Sequence, residues 1–270
     1  MRSIISVFFC ISIVFVNAQT DALQQVKVDV VYLASDYLEG RETGTKGEAM
    51  AAAYIANRYR EIGLTGRGDS STYFQYFPFR EMSNPHAAEA EQGLKGTAIN
   101  VVGFLDNGAA STVIIGAHYD HLGKGASGSL HTGDVAIHNG ADDNASGVAA
   151  MLRLAEQLKA SDLKNNNYLF IAFSAEELGL FGSKYFADHP SIDLPTSNYM
   201  INMDMVGRLN EEKVLAISGV GSSPMFRDII SGIEVDDITA KLDDSGIGPS
   251  DHTSFYLKDI PVLHFFTGQH

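Results

Sequence analysis

Two short runs hold the densest set of side chains able to do chemistry: GAHYDH, from Gly116 to His121, and GADDNASG, from Gly140 to Gly147. Between them they supply His118, Asp120, Asp142 and Asp143. Carboxylates packed closely repel one another and resist leaving water, whereas a divalent cation reverses that preference and keeps them ionised. The two runs therefore read as half of a metal site. Three further stretches extend it: SAEELG (Ser174 to Gly179) carries Glu176 and Glu177, Asp204 follows the apolar run Tyr199 to Met203, and SDHTSF (Ser250 to Phe255) carries His252. Adjacent glutamates at a strand exit point different ways, so one can bind metal while its neighbour moves a proton.

The elements that must place these residues follow from hydrophobic periodicity. The run Thr112 to Ile115 predicts a buried strand, Thr112 to Ala117, that delivers His118 and Asp120. An apolar pattern from Gly147 to Leu158 predicts a helix beginning near Asn144 to Ser146, residue types that favour helix N-caps. Strands over Tyr168 to Phe173 and Asn198 to Met203 deliver the two glutamates and Asp204, and His252 opens a short helix. Elsewhere the pattern predicts helices over Ala22 to Leu38, Glu48 to Ile62, Glu177 to Asp188 and Met225 to Ile233. It predicts strands over Tyr73 to Phe79, Ala98 to Leu105, Val214 to Ile217 and Val262 to Phe266. Such alternation implies an α/β fold, a mostly parallel mixed sheet covered by helices on both faces, with ligands at the carboxyl ends of its strands. The stretch Leu122 to Asn139 is long for a structureless connection and reads as a rim over the site. With no internal repeat and no linker, residues 19–270 read as one domain.

Composition narrows the classes further. A formal charge of -14 argues against a nucleic-acid partner, which needs clustered Lys and Arg to displace counterions from phosphate. Behind Arg2 the apolar run Ser3 to Val16 and the small residues around Ala18 predict a cleaved signal peptide over residues 1–18, and hence a secreted or periplasmic location with no membrane attachment after cleavage. The run is shorter than the ~18 residues of a spanning helix. The only cysteine, Cys10, falls inside it, so any metal must be held by His, Asp and Glu, a donor set that suits zinc.

The ordered set GAHYDH, GADDNASG, SAEELG, NMDM and SDHTSF resembles the co-catalytic zinc aminopeptidases of metallopeptidase family 28, and LASDYLEGRETGTKGE (Leu33 to Glu48) resembles the leader of that family. The resemblance covers nearly the whole mature chain. It implies a zinc-dependent exopeptidase fold and two Zn2+ ions sharing Asp143, with His118 and Asp204 completing one position and Glu177 and His252 the other. It implies Glu176 as general base and acid acting on a hydroxide that bridges the zinc ions. Asp120 would accept a hydrogen bond from His118 and fix its tautomer, and the Asp143-Asn144 peptide would be cis. The implied substrates are peptides with a free N-terminus, the amino group held by one zinc. Because the family continues past the strand that ends near Phe266, the sequence ending at His270 is expected to lack part of the C-terminal cover.

Taken singly, each of His118, Asp143, Glu177, Asp204 and His252 could be an ordinary hydrogen-bonded polar residue; it is their order and spacing that argue otherwise. Asp142 stays open between a helix N-terminal charge and a site role. Asp251 reads as surface, because neighbouring helical residues face apart. His121, His131, His138, His264 and His270 read as satisfied or solvated. Met200, Met203, Met205, Phe265 and Phe266 read as core or as the wall of an apolar substrate pocket. Three other functions fit the same fold: a glutaminyl cyclase-like enzyme using a single zinc, a catalytically inactive binding domain, and a related dipeptidase or carboxypeptidase, since the metal set alone does not choose the end of the peptide.

Overall fold

In the computed structural model the described residues are 23–80, 95–125, 128–235 and 237–268. The predicted signal segment 1–18, with Cys10, lies outside them, as does His270. Among the described residues one nine-stranded sheet runs through the molecule. Its centre is parallel, in the order β5 (Asn167–Phe173), β4 (Thr112–His118), β6 (Ser197–Met203) and β9 (Val262–Phe266). β3 (Lys95–Leu105) adds antiparallel to β5 and carries β1 (Thr65–Gly66) and β2 (Phe74–Arg80), both antiparallel to it. On the far edge β7 (Val214–Ser218) runs antiparallel to β9 and pairs in parallel with β8 (Thr239–Leu242). The parallel centre requires helical crossovers, and their cover on both faces explains why β4 and β5 are almost wholly buried rather than alternating.

The two faces of each central strand feed two cores. On one face Val113 and Ile115 of β4 and Phe170 of β5 pack with Leu33 of α1 (23–33), Ile55 and Tyr59 of α2 (Lys46–Ile62) and Val148 and Leu152 of α3 (Gly147–Ala160). On the other, Ile114, Leu169 and Ile171 pack with Phe186 of α4 (Phe181–Asp188) and Phe255 of α6 (His252–Tyr256). A third, smaller cluster joins Ile217 and Leu263 to Phe226 and Ile230 of α5 (Phe226–Ser231). This sandwich leaves the carboxyl ends of β4, β5 and β6 at one edge.

Several elements differ from expectation for local reasons. The first helix ends at residue 33 rather than Leu38, and the chain then turns through Asp36–Arg41 with positive φ at Glu39, Gly40 and Arg41. Gly40 is required there: a Cβ would lie 2.4 Å from the Gly123 carbonyl oxygen. The helix expected from Glu177 starts at Phe181, because Ser174 to Leu180 forms a turn with left-handed backbone at Ala175 and Leu180. Asn144 to Ser146 lie in an irregular turn ahead of α3, and the capping role belongs to Asn144, whose Oδ1 accepts the Gly147 N–H at 2.9 Å. β8 was not predicted; its Thr-Ala-Lys-Leu sequence is mostly exposed and carries no alternation.

Candidate metal centre

The site grows from three neighbouring strand exits. β4 ends at His118, which is buried, and β6 ends one residue before Asp204, whose N–H donates to the Phe265 carbonyl at 3.2 Å. Asp143 arrives on the turn before α3, with the expected cis peptide between Asp143 and Asn144. That turn is stitched to the segment after β6. Asn144 Nδ2 donates to the Met203 carbonyl at 3.0 Å, Asn144 Oδ1 accepts the Met205 N–H at 3.2 Å, and Asp142 Oδ1 accepts the Gly207 N–H at 2.7 Å. The last bond bears on the question left open for Asp142: one of its carboxylate oxygens ties the turn to the segment after β6.

The two oxygens of Asp143 face two different groups. Oδ1 lies 3.2 Å from His118 Nε2, which is itself 3.3 Å from Asp204 Oδ1. Oδ2 lies 3.9 Å from His121 Nδ1, which is 2.7 Å from Glu177 Oε1. In each triad the three donor atoms lie within 4.8 Å of one another, close enough to share a cation. Burial would lower the His118 pKa, yet the carboxylates of Glu176, Asp204, Asp120 and Asp143 hold it well above the ordinary imidazole range. Burial would raise the Asp204 pKa, but His118 brings it down to about 2. A positive charge between these side chains is thus what their arrangement favours.

The hydrogen bond expected from His118 to the Asp120 carboxylate is made to the Asp120 backbone carbonyl instead. Nδ1 of His118 is 3.3 Å from the backbone carbonyl of Asp120 and 3.6 Å from its Oδ1. The carboxylate accepts the backbone N–H groups of Glu176 at 3.1 Å and Glu177 at 3.4 Å, and the Thr43 hydroxyl at 3.1 Å. It therefore fixes the glutamate pair as well as flanking the imidazole. Burial, followed by the carboxylates of Asp251, Asp204 and Asp120, pushes the Glu176 pKa well above the usual carboxyl range against the opposing pull of His118. A carboxyl raised in this way suits proton transfer near neutral pH.

His252 is not among the residues brought against Glu177. Its ring stacks on His264, with centroids 4.3 Å apart, and both of its ring nitrogens are buried with no hydrogen-bond partner. Burial pushes its pKa down to about 3, which keeps the imidazole neutral, with one ring nitrogen carrying a proton and the other a lone pair. Asp251 corrects the expectation of a surface residue: it is fully buried, and burial pushes its carboxyl up to about 7 with His118 opposing. His121, expected to be satisfied or solvated, is hydrogen-bonded to Glu177 at 2.7 Å, and the sequence did not show that this partner would put it beside Asp143 and Glu177. His138 accepts or donates at Ser129 Oγ, and His264 lies 3.2 Å from Asn202 Nδ2. Leu122 to Asn139, where described, has no regular structure and borders the cleft beside His121 and Glu177 through Leu122 and Gly128.

Behind the site, Glu48 ties several of these segments together. Its carboxylate accepts the N–H of Gly44 at 2.6 Å and of Ile99 at 3.1 Å, with the hydroxyls of Ser174 and of Tyr119 at 3.3 Å. Burial outweighs these donors and pushes its pKa up from 4.5 to about 7. A folded-state pKa above the unfolded one contributes stability that is full below the unfolded value and is lost as pH rises through about 7. In the Glu48→Gln variant this dependence is absent, so the wild-type advantage in unfolding free energy shrinks between about pH 5 and 8 by up to roughly 3 kcal/mol. Urea unfolding of both proteins across that range measures it.

The donor set of two imidazoles and three carboxylates, without sulfur, suits a hard to borderline divalent ion. The model of peptidase family M28 matches residues 100–270 of this chain. Aminopeptidase YwaD of Bacillus subtilis is 32% identical over 145 residues, which covers 52% of this chain and 31% of that protein. Among solved structures, the aminopeptidase from Aneurinibacillus sp. strain AM-1 has a TM-score of 0.61 at 18% identity, covering 91% of this chain and 85% of that one. Porphyromonas gingivalis glutaminyl cyclase has a TM-score of 0.63 at 16% identity, covering 91% and 82%. The solved structures share the fold. The chain spans about a third to a half of the length of the curated relatives it matches: 36%, 31% and 53% for three of them.

Proposed function

This chain belongs to peptidase family M28, and we propose from that premise that it is a secreted or periplasmic di-zinc aminopeptidase, removing the N-terminal residue from peptides with a free amino end. The observation that carries the reading is the placement of Asp143, whose two oxygens face separate donor groups. His118, Asp143 and Asp204 would hold one zinc, and Asp143 and Glu177 the other. Bound there, zinc would act as a Lewis acid toward the scissile carbonyl and lower the pKa of a water toward about 7. Glu176, with its raised pKa and its backbone pinned by Asp120, accepts the proton of the attacking water and returns it to the leaving amine. Among the described residues no helix is long and apolar enough to cross a membrane.

Two residues compete for the imidazole of the second position. His121 already sits 2.7 Å from Glu177, while His252 has two orphaned ring nitrogens. We assign the ligand to His252, as the resemblance implies, because a buried unpartnered imidazole is costly unless a metal or donor completes it, whereas His121 is satisfied by Glu177. His252→Ala should then lower the metal content by about one equivalent, and His121→Ala should leave it near the wild-type value. Elemental analysis after gel filtration distinguishes them; the reverse pattern assigns the position to His121.

The activity itself is tested by hydrolysis of an amino-acyl anilide, expected to vanish with chelator and to return with added zinc. A glutaminyl cyclase uses the same fold with one metal position filled; here both donor groups are built, which favours hydrolysis. Cyclisation of a peptide with N-terminal glutamine, without anilide hydrolysis, would overturn the assignment. An inactive binding domain would show neither reaction.

A further inference from the structure

Arg41 is the largest fully buried side chain among the described residues, and no carboxylate bonds to its guanidinium. Its N–H groups go instead to four backbone carbonyls. Nε donates to Tyr119 at 2.6 Å, Nη1 to Asn139 at 2.8 Å and to Leu33, and Nη2 to Gly140 at 3.0 Å. The backbone carbonyl of Arg41 in turn accepts the His121 N–H at 3.3 Å. These partners belong to three separate segments: the end of α1, the exit of β4 that carries His118 and His121, and the approach to Asp143. Burying an isolated cation is expensive, and hydrogen bonds to neutral carbonyls offset only part of the cost. The remainder is offset through space by Asp120, Asp143 and Glu177, whose charges oppose the effect of burial on the guanidinium; its pKa stays at about 10, so it is charged at neutral pH.

We propose that Arg41 is a positioning residue that holds the 119–121 and 139–143 loops in register, so that the donor atoms on either side of Asp143 are preorganised before any cation arrives. The proposal rests on the metal-site reading above. A planar fork with five N–H groups can reach four carbonyls at once, whereas an ammonium has three donors and no fixed plane. Lysine therefore keeps the charge and loses the geometry. The close packing of the loops agrees with this: a Cβ on Gly140 would lie 2.6 Å from Nη2 of Arg41 and 2.6 Å from the His121 ring.

The test compares wild type, Arg41→Lys and Leu152→Ala, the last a core change on α3 that lowers stability and removes none of the Arg41 hydrogen bonds. Cobalt(II) is the probe, read by its visible absorption and by chelator competition, together with amide hydrogen exchange of the metal-free proteins. Expected for Arg41→Lys are an altered cobalt spectrum, a roughly 10- to 100-fold loss of cobalt affinity, and faster exchange confined to 119–123 and 139–145. Leu152→Ala should keep the wild-type spectrum. A folded Arg41→Lys protein with the wild-type spectrum and affinity overturns the proposal, as does failure of that variant to fold, which would make Arg41 a residue of the fold. If wild type itself binds no cobalt, the metal-site reading fails first.

Discussion

Glu176→Gln is expected to reduce turnover by about a hundred- to ten-thousandfold while leaving the metal content and the Michaelis constant close to those of wild type. Glutamine preserves the shape and the backbone contacts to Asp120, but it cannot take up a proton. Glu176 is half-buried, and its carboxyl is raised by burial and by Asp251 and Asp204 against the pull of His118. The rate is therefore lost at the proton-transfer step with substrate binding spared. Steady-state kinetics on an amino-acyl anilide, paired with elemental analysis, separates this from damage to the site; full activity in the variant would remove the assigned role.

Asp143→Ala should have the other large effect, because one side chain serves both donor groups. His118 and Asp204 would keep two of three donors, and Glu177 would lose its shared partner. The expected result is loss of both metal ions and of measurable activity. It carries a stability signature as well. A ligand present at about 100 times its dissociation constant stabilises the fold by about 2.7 kcal/mol for each site. The wild-type melting temperature should therefore fall on adding chelator, and that of Asp143→Ala should not move. A variant that retains a chelator-sensitive melt would show that one position survives without Asp143.

Much of this was legible in the sequence because the residues at issue follow apolar runs. β4 and β5 are buried almost throughout, so their hydrophobic stretches mark their ends, and β6, though interrupted by Asn202, ends at Met203; His118, Glu176, Glu177 and Asp204 could be placed at those ends by counting. The turn carrying Asp143 could be placed by the helix that follows it. Residues positioned by long-range backbone contact were harder to read. Nothing in GAHYDH distinguishes the direction of His121 from that of an exposed loop histidine; its approach to Glu177 depends on the Asp36–Arg41 turn, to which its N–H is bonded. Asp251 was misjudged because the rule that neighbouring helical residues face apart assumes a helix long enough to have an outer face. α6 covers five residues, and Asp251 and His252 are both buried there. The reach of the Asp120 carboxylate to the backbone of Glu176 and Glu177 likewise depends on β4 and β5 lying side by side, a pairing that local periodicity does not encode.

The central claim is that one aspartate is shared by two cation positions. Its most direct measurement is the metal-to-protein ratio of the purified chain, taken by elemental analysis for wild type and for Asp143→Ala in the same preparation. The account predicts about two zinc ions per wild-type chain and none retained by the variant. A wild-type ratio of about one that survives the loss of Asp143 would contradict it.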